Sequence, residues 1–299
     1  MSSTRATGIA LAFVAAVISG VAIYVNGHAV KHFGDATVYT TAKNAVAGVL
    51  LLALALPLLG GPRSEVPKIR RHPLGLLAVA VIGGSVPFVL FFEGLSRAEA
   101  TQAAFIQKTL VVWVAILAVP LLHERLGWPH FAAIALLVVG QAWLVGDAGT
   151  VVFRSGEAMI LAATLLWAVE VIVAKKLLGD LDARVLGATR MALGTIVLVG
   201  WLLVSGRADD LFSLSGDQWS WALLTGLILA GYVATWFAAL ARAQAVDVTA
   251  VLVFGAVITA LLSRWGDGVT FDLGGVVLIT AGAILMALPA RRRMRAEPA

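Results

Sequence analysis

The sequence predicts an all-α integral membrane protein, with ten transmembrane helices arranged as two five-helix repeats of inverted topology. Three observations lead there. With 60% hydrophobic and only 13% charged residues, and a mean hydropathy of +0.95, the chain is too apolar for a soluble domain of its length. Its apolar stretches come in pieces of roughly 20 residues, the number that crosses a hydrocarbon core of about 30 Å. The chain also resembles itself. FFEGLSRAEATQAAFI (91–106) aligns without gaps with WFAALARAQAVDVTAV (236–251) at an offset of 145, and TTAKNAVAG (40–48) meets GATRMALGT (187–195) at an offset of 147. Five spans per copy is an odd number, so the second copy inserts upside down relative to the first.

Cutting at polar, Gly and Pro clusters places the spans in order. The first, 7–27, has no charged n-region with a small-residue cleavage site before it, and it is expected to be a transmembrane helix of a full-length chain. The second, 36–59, carries Lys43, and the third, 73–95, contains Gly83, Gly84 and Pro87. The fourth, 100–121, carries Lys108, and 127–146 completes the repeat. In the second copy, 156–177 carries Glu170, 184–204 carries Arg190, and 218–240 contains Gly226 and Gly231. The last two are 246–263 and 271–289. The first repeat is thus residues 1–147 and the second 148–299, together one transmembrane domain whose short loops leave no room for a soluble one.

Charge orients these spans. Fourteen of the 22 Lys and Arg fall at the end that holds both termini, including Arg63 and Arg291–Arg293, and five at the other. That bias predicts cytoplasmic termini in a multi-pass protein of the cell's inner (plasma) membrane. It also accounts for the pI of 9.9, since the basic residues form no nucleic-acid-binding domain of their own. No cysteine is present, which excludes disulfides and thiolate metal sites. Three cations, Lys43, Lys108 and Arg190, lie within spans, and the offset of 147 puts Lys43 opposite Arg190.

Candidate site residues follow from depth. Paired Gly or Pro interruptions point to the binding site of an inverted-repeat transporter. Spans 3 (IGGSVPFVLFF) and 8 (TGLILAGYVATWF) carry them as Gly83, Gly84, Pro87, Gly226 and Gly231, read either as packing notches with a static kink or as hinges lining a cavity. Lys108 is about 14 Å into its span, and Thr101, Ala104, Val112 and Ala115 share its face. Trp113 and Gln107 point well away from it and are expected to make helix contacts, or to form the other wall. Glu170 is the one carboxylate far from both ends of a span. Three roles stand open for Lys108: an ion pair with Glu170, binding of a substrate carboxylate or tuning of a proton-titrating Glu170, and snorkelling into a vestibule. Lys43 and Arg190 lie about 10 Å from an interface and are expected to snorkel or to form a gate-side pair. Glu93 and Asp247, at span ends, are expected to be solvated. Trp128, Trp219, Trp221, Trp236 and Trp265 lie where belt residues belong, whereas Trp113, Trp167 and Tyr232 are deep enough to contact a substrate.

Other function classes lack their chemistry. His28 and His32 are four residues apart but flank Lys31 in a loop without a carboxylate cluster, so no metal and no cofactor is expected. The sequence has no GxSxG elbow, Walker loop or paired-Asp motif, which counts against a membrane-embedded enzyme and against ATP-driven pumping. A channel would want a continuous polar stripe, and the charges here are isolated.

The five-plus-five repeat, GLSRAEATQAAF (94–105) and LLHERLGWPHFAAIALLVVGQAWLV (121–145) together resemble the drug/metabolite transporter superfamily in its EamA-type ten-helix form, over essentially the whole chain. A general likeness extends to the YddG-type exporters of aromatic amino acids. Two departures stand out. Many members carry a proline partway along span 4, where this chain reads Lys108-Thr109-Leu110, and the second repeat has Trp265-Gly266-Asp267 where the first has His123-Glu124-Arg125. The resemblance implies a cavity lined by spans 1–4 and 6–9, with spans 5 and 10 peripheral. It further implies export of a small amphipathic metabolite, a neutral or aromatic amino acid first; coupling to a proton and facilitated diffusion both stay open. Another small metabolite or an organic cation is the alternative cargo. The lipid bilayer is the expected surrounding, and the oligomeric state stays open.

Overall fold

A computed structural model of the chain describes residues 3–60, 64–98, 100–144 and 153–288. The expected repeat boundary at 147/148, Arg63, the arginines beyond 290 and the side chains of Thr101 and Ala104 lie outside the described residues.

Helices occupy all ten expected places. In chain order they are α1 (Ser3–Ala29), α2 (Ala36–Leu59), a short α3 (Val66–Arg71), α4 (Pro73–Ile82) and α5 (Val86–Leu95), then α6 (Ala100–Lys108), α7 (Leu110–Leu122) and α8 (Trp128–Leu144). The second half follows as α9 (Ser155–Leu177), α10 (Ala183–Val204), a short α11 (Ala208–Phe212), α12 (Gly216–Leu240), α13 (Ala245–Leu252), α14 (Gly255–Asp267) and α15 (Leu273–Ala287). Among the described residues eight segments are long and apolar enough to cross a membrane, with α4–α5, α6–α7 and α13–α14 each counting as one. The fifth and tenth spans, α8 and α15, are shorter and pack on each other, Gly140 against Leu278 and Ile279 and Gly275 against Leu144.

Packing repeats with the halves exchanged. α1 lies on α12, α13 and α14, and its counterpart α9 lies on α5, α6 and α7. α2 and α10 meet each other across the centre, where Gly48 lets α2 approach Met191 and Ala192. The helix ends keep the offsets as well: Ala36 and Ala183 start α2 and α10, and Ala100 and Ala245 start α6 and α13. α7 and α14 both end on a left-handed residue, His123 at φ 55° and Gly268 at φ 68°. His123 therefore corresponds to Gly268, which corrects the earlier pairing of 123–125 with 265–267.

Span 3 is broken and span 8 is not. α4 stops at Ile82, and after Gly83-Gly84-Ser85 a new helix starts with Pro87 in its first turn, where a missing N–H removes no helical hydrogen bond. Carbonyls freed at mid-membrane need donors from the protein. Trp167 Nε1 donates to Gly83 O (3.1 Å) and Asn44 Nδ2 to Gly84 O (3.3 Å), while the Ser85 hydroxyl reaches back to Ala80 O and Val81 O. Both glycines also permit close approach. A Cβ at Gly83 would come within 2.5 Å of Glu170 Cγ, and one at Gly84 would overlap the Arg190 carbonyl oxygen. The expected matching interruption in span 8 is absent, because α12 runs unbroken through Gly226 and Gly231. With no Gly-Gly pair and no proline, that segment has nothing to stop its backbone ladder. Gly226 serves a helix crossing, its Cβ position lying 2.6 Å from Val46 Cβ, whereas Gly231 has Ile18 Cδ1 at 3.8 Å as its nearest neighbour.

Span 4 breaks without a proline. The Thr109 hydroxyl donates to Ile106 O (2.6 Å) and its N–H goes to the same carbonyl at 3.1 Å, a tightened turn between α6 and α7. Threonine back-bonding bends helices in this way. An equivalent turn separates α13 from α14 at Val253-Phe254.

These contacts rank the glycines. Gly84→Ala should lower thermal stability by about 1–3 kcal/mol, the usual cost of overpacking, and Gly231→Ala should change it by less than about 0.5 kcal/mol. Unfolding midpoints of the two purified variants in one detergent check the order.

Candidate functional site

A central cavity of about 110 Å³ lies between the repeats, with walls from α1, α2, α5–α7, α9, α10, α12 and α13. It collects the intramembrane charges: Lys43, Lys108, Arg190 and Glu170 all line it. Phe88, Phe91, Phe92, Trp167, Tyr232 and Trp236 supply aromatic wall, and Ser19, Asn26, Gln107 and Thr249 add polar atoms.

The partner of Glu170 is Arg190 rather than Lys108. Arg190 Nε and Glu170 Oε1 are 3.2 Å apart, close enough for an ion pair, although neither atom makes an aligned hydrogen bond. Depth explains the choice. Glu170 stands seven residues before the end of α9 at Leu177 and Arg190 seven after the start of α10 at Ala183, so each is about 10 Å from the same end. The absence of side chains at Gly83 and Gly84 lets the two approach. Lys108, 5% exposed, donates instead to Ser19 Oγ on α1 at 3.3 Å.

Lys43 and Arg190 do not snorkel; both are buried on the cavity wall. Lys43 Nζ sits 3.6 Å from the Phe92 ring centre, with Tyr39 and Phe88 at 5.0 and 5.5 Å, and donates to Asn26 Oδ1 at 3.3 Å. Asn26 also accepts the Tyr39 hydroxyl. The Arg190 guanidinium faces the rings of Phe88 and Phe237. This cage of aromatic faces holds cations that would otherwise have to reach water.

Other expectations divide. Trp167 and Tyr232 line the cavity, but Trp113 does not; its indole N–H is tied to Thr109 Oγ1 of its own helix at 3.1 Å. Gln107, for which a helix contact or the cavity's other wall was open, is on the wall, and its Oε1 lacks a hydrogen-bond partner. Trp236, read as a belt residue, is buried in the wall with Tyr232 stacked on it at 6.1 Å. The repeat offset carried a signal for it, since Trp236 is the counterpart of Phe91 and both line the cavity. Trp128 and Trp265 are exposed as belt residues, while Trp221 is partly covered by His32.

The two ends differ. At the end away from the termini, a vestibule of about 800 Å³ is lined by Tyr24, His28, Asp35, Glu93, Thr259 and Asp267 among others, and it shares Ile23 and Leu95 with the central cavity. Glu93 faces it, paired with Arg97 at 2.9 Å. His28 contacts Asp267 and His32 contacts Asp217, so the two histidines converge on no common ligand. Among the described residues no group of three or more His, Asp or Glu could hold a metal.

At the terminal end a recess of about 530 Å³, lined by Arg5, Glu124, Lys175 and Arg242 among others, shares no lining residue with the central cavity. Asp247, expected to be solvated, is fully buried, because Arg5 (2.9 Å) and His130 (3.4 Å) converge on it from α1 and α8. Beside it Glu124 accepts the N–H groups of Ala245 (2.6 Å) and Val246 (3.1 Å), taking the place of the side-chain cap that α13 lacks. Burial raises the Glu124 carboxyl above the ordinary carboxylate range, and these two donors counter that rise. Lys175 Nζ binds Leu240 O and Ala243 O at 2.6 and 2.7 Å. The α12–α13 elbow is thus held by an anion at the helix start and a cation at the preceding helix end, each matching the local helix dipole.

Comparison with known proteins agrees with this architecture. The EamA-like transporter family matches residues 6–146 and again 154–288. A protein of Archaeoglobus fulgidus, described as an uncharacterized transporter, is 28% identical over 223 residues, covering 71% of this chain and 75% of that one. Another so described, from Methanothermobacter thermautotrophicus, is 26% identical over 153 residues, half of this chain, and the match spans 45% of that relative's length. A crystal structure superposes with a TM-score of 0.72 over 95% of this chain and 99% of its own, at 18% identity, a likeness of fold. Matched once in each half, the chain belongs to the EamA-like transporter family and is a multi-pass membrane transporter.

Proposed function

We propose that the chain is a secondary transporter of the cell's inner membrane, with cytoplasmic termini, exporting small amphipathic metabolites that bear a carboxylate. The observation that carries this reading is the cavity wall, aromatic and aliphatic with a few neutral polar groups, into which three cationic side chains and one carboxylate already facing Arg190 are set. A carboxylate finds Lys108 and Lys43 there, and an apolar body finds Phe88, Phe91, Trp167 and Trp236. Neutral amino acids with aromatic or large apolar side chains belong to this class. An organic cation would meet excess positive charge.

The repeats 1–147 and 148–299 act as the two halves that alternate access. In this reading the vestibule is the open, outer side, and the Arg5–Asp247–His130 cluster is the closed, cytoplasmic gate. Glu170, held beside Arg190, is the group that titrates if export runs on a proton gradient.

Counterflow of labelled phenylalanine in proteoliposomes, with and without a pH gradient, tests the reading. Competition by organic cations together with none by amino acids or other carboxylates would sink it. Lys108→Met should abolish counterflow while the protein still elutes as one folded species in detergent; loss of folding would assign the lysine a structural role. Glu170→Gln should flatten the pH dependence of transport, and an unchanged profile removes Glu170 from coupling. The gate has its own check, since the chain contains no cysteine. In a Gln107→Cys background, adding Arg5→Ala should speed labelling by a membrane-impermeant maleimide from the terminal side; an unchanged rate means the cluster does not gate.

A further inference from the structure

The carboxylate-transporter reading leaves a wide choice of cargo, and the charge and donor inventory of the cavity narrows it. The wall holds Lys43, Lys108 and Arg190 against Glu170, an excess of two positive groups. Glu170 faces Arg190 at 3.2 Å, so the one carboxylate has its cation. The two lysines do not have theirs. Each ammonium carries three N–H donors. Among the described residues Lys108 places one on Ser19 Oγ and Lys43 one on Asn26 Oδ1, and neither has a carboxylate within ion-pair distance. Both are buried on the cavity wall, Lys108 with that one acceptor and Lys43 also against the Phe92 ring at 3.6 Å, and an arriving carboxylate supplies the anion that neither has.

An α-amino acid brings an ammonium with its carboxylate. In a low-dielectric cavity that ammonium is repelled by the two lysines more strongly than it would be in water, and its natural partner Glu170 is engaged. An acid of the same body without the ammonium meets none of this. Size agrees, because about 110 Å³ has room for on the order of ten non-hydrogen atoms at one water-sized position each. That is an aryl ring with a short acid chain.

We infer that the cavity selects organic acids lacking an ammonium group, aromatic or branched in body, with the carboxylate held by Lys108 and Lys43. The inference rests on the carboxylate-transporter reading and sharpens it from amphipathic carboxylates in general to net anions.

Three probes of related skeleton and different charge separate the outcomes: 3-phenylpropanoate, phenylalanine and 2-phenylethylamine. Each is titrated calorimetrically into the detergent-solubilised full chain, then tested as a competitor of labelled 3-phenylpropanoate counterflow in proteoliposomes. The expected result is 3-phenylpropanoate binding at least about tenfold tighter than phenylalanine, with no binding of the amine. Lys108→Gln and Lys43→Gln, checked for an unchanged elution profile, should each reduce that ratio. Phenylalanine binding as tightly as the acid overturns the inference and leaves the carboxylate-transporter reading intact. The amine binding best, or no probe binding to folded protein, overturns both. A ratio unchanged in both lysine variants overturns their assignment, and because the first comparison uses the unaltered chain, a variant that fails to fold leaves the selection itself decided.

Discussion

Backbone polar groups exposed at mid-membrane must find partners in the protein, and the Gly83–Ser85 break is where that requirement organises the rest of the molecule. Its two carbonyls draw Trp167 from α9 and Asn44 from α2, which fixes both helices against span 3. α10 closes against the same break, because Gly84 has no side chain to keep the Arg190 backbone away. Four helices thus meet at one level, and each sends a side chain into the cavity: Lys43, Phe88, Glu170 and Arg190. The Arg190–Glu170 pair contributes little net stability, since removing both charges from water offsets most of their attraction. Its effect is to set the depth at which α9 and α10 pass the break.

The repeats share a backbone plan and differ where the ends differ. Lys175 clamps the carbonyls of Leu240 and Ala243 at the closed elbow, and the counterparts of those residues, Leu95 and Ala98, line the open vestibule. His28, 147 residues before Lys175, bonds Tyr24 O and Asp267 instead. One elbow is therefore gripped, by Lys175 of its own repeat and by Glu124 of the other, while its partner borders open space. Exchanging those two arrangements between the repeats would close the vestibule and open the terminal end, which is the conformational change that alternating access requires.

Hydropathy and self-similarity made the architecture legible because both follow from the bilayer itself: span length is set by thickness, and inversion by the odd count. The site was less legible. Depth along a helix can be counted, so Lys108, Glu170, Trp167 and Tyr232 were recognisable as deep. Azimuth relative to neighbours cannot, so Trp113 was placed with them although it turns back on Thr109, and Gln107 stayed open between a helix contact and the cavity wall that it joins. Ion pairing was missed for the same reason. Glu170 and Lys108 were within reach by depth, but which helices are adjacent depends on the glycines at 83 and 84, whose effect appears only when α9 and α10 are packed beside them. Asp247 shows a second limit, for a residue at a span end is buried or solvated according to whether distant segments, here Arg5 and His130, arrive to cover it.

The lysine in FIQKTLVVWV has a local as well as a cavity environment. Thr109, by bonding back to Ile106, tightens the chain immediately after Lys108 and leaves the lysine in the last turn of α6. A helix end of that polarity carries partial negative charge, which favours a cation. The second repeat makes the same break at Val253-Phe254, yet places Val253 where the first has Lys108. The break is therefore a property of the duplicated scaffold, and the lysine is not. A charge that the fold does without in one copy is held in the other by one hydroxyl and a helix end, and the proposed carboxylate site rests on that asymmetry.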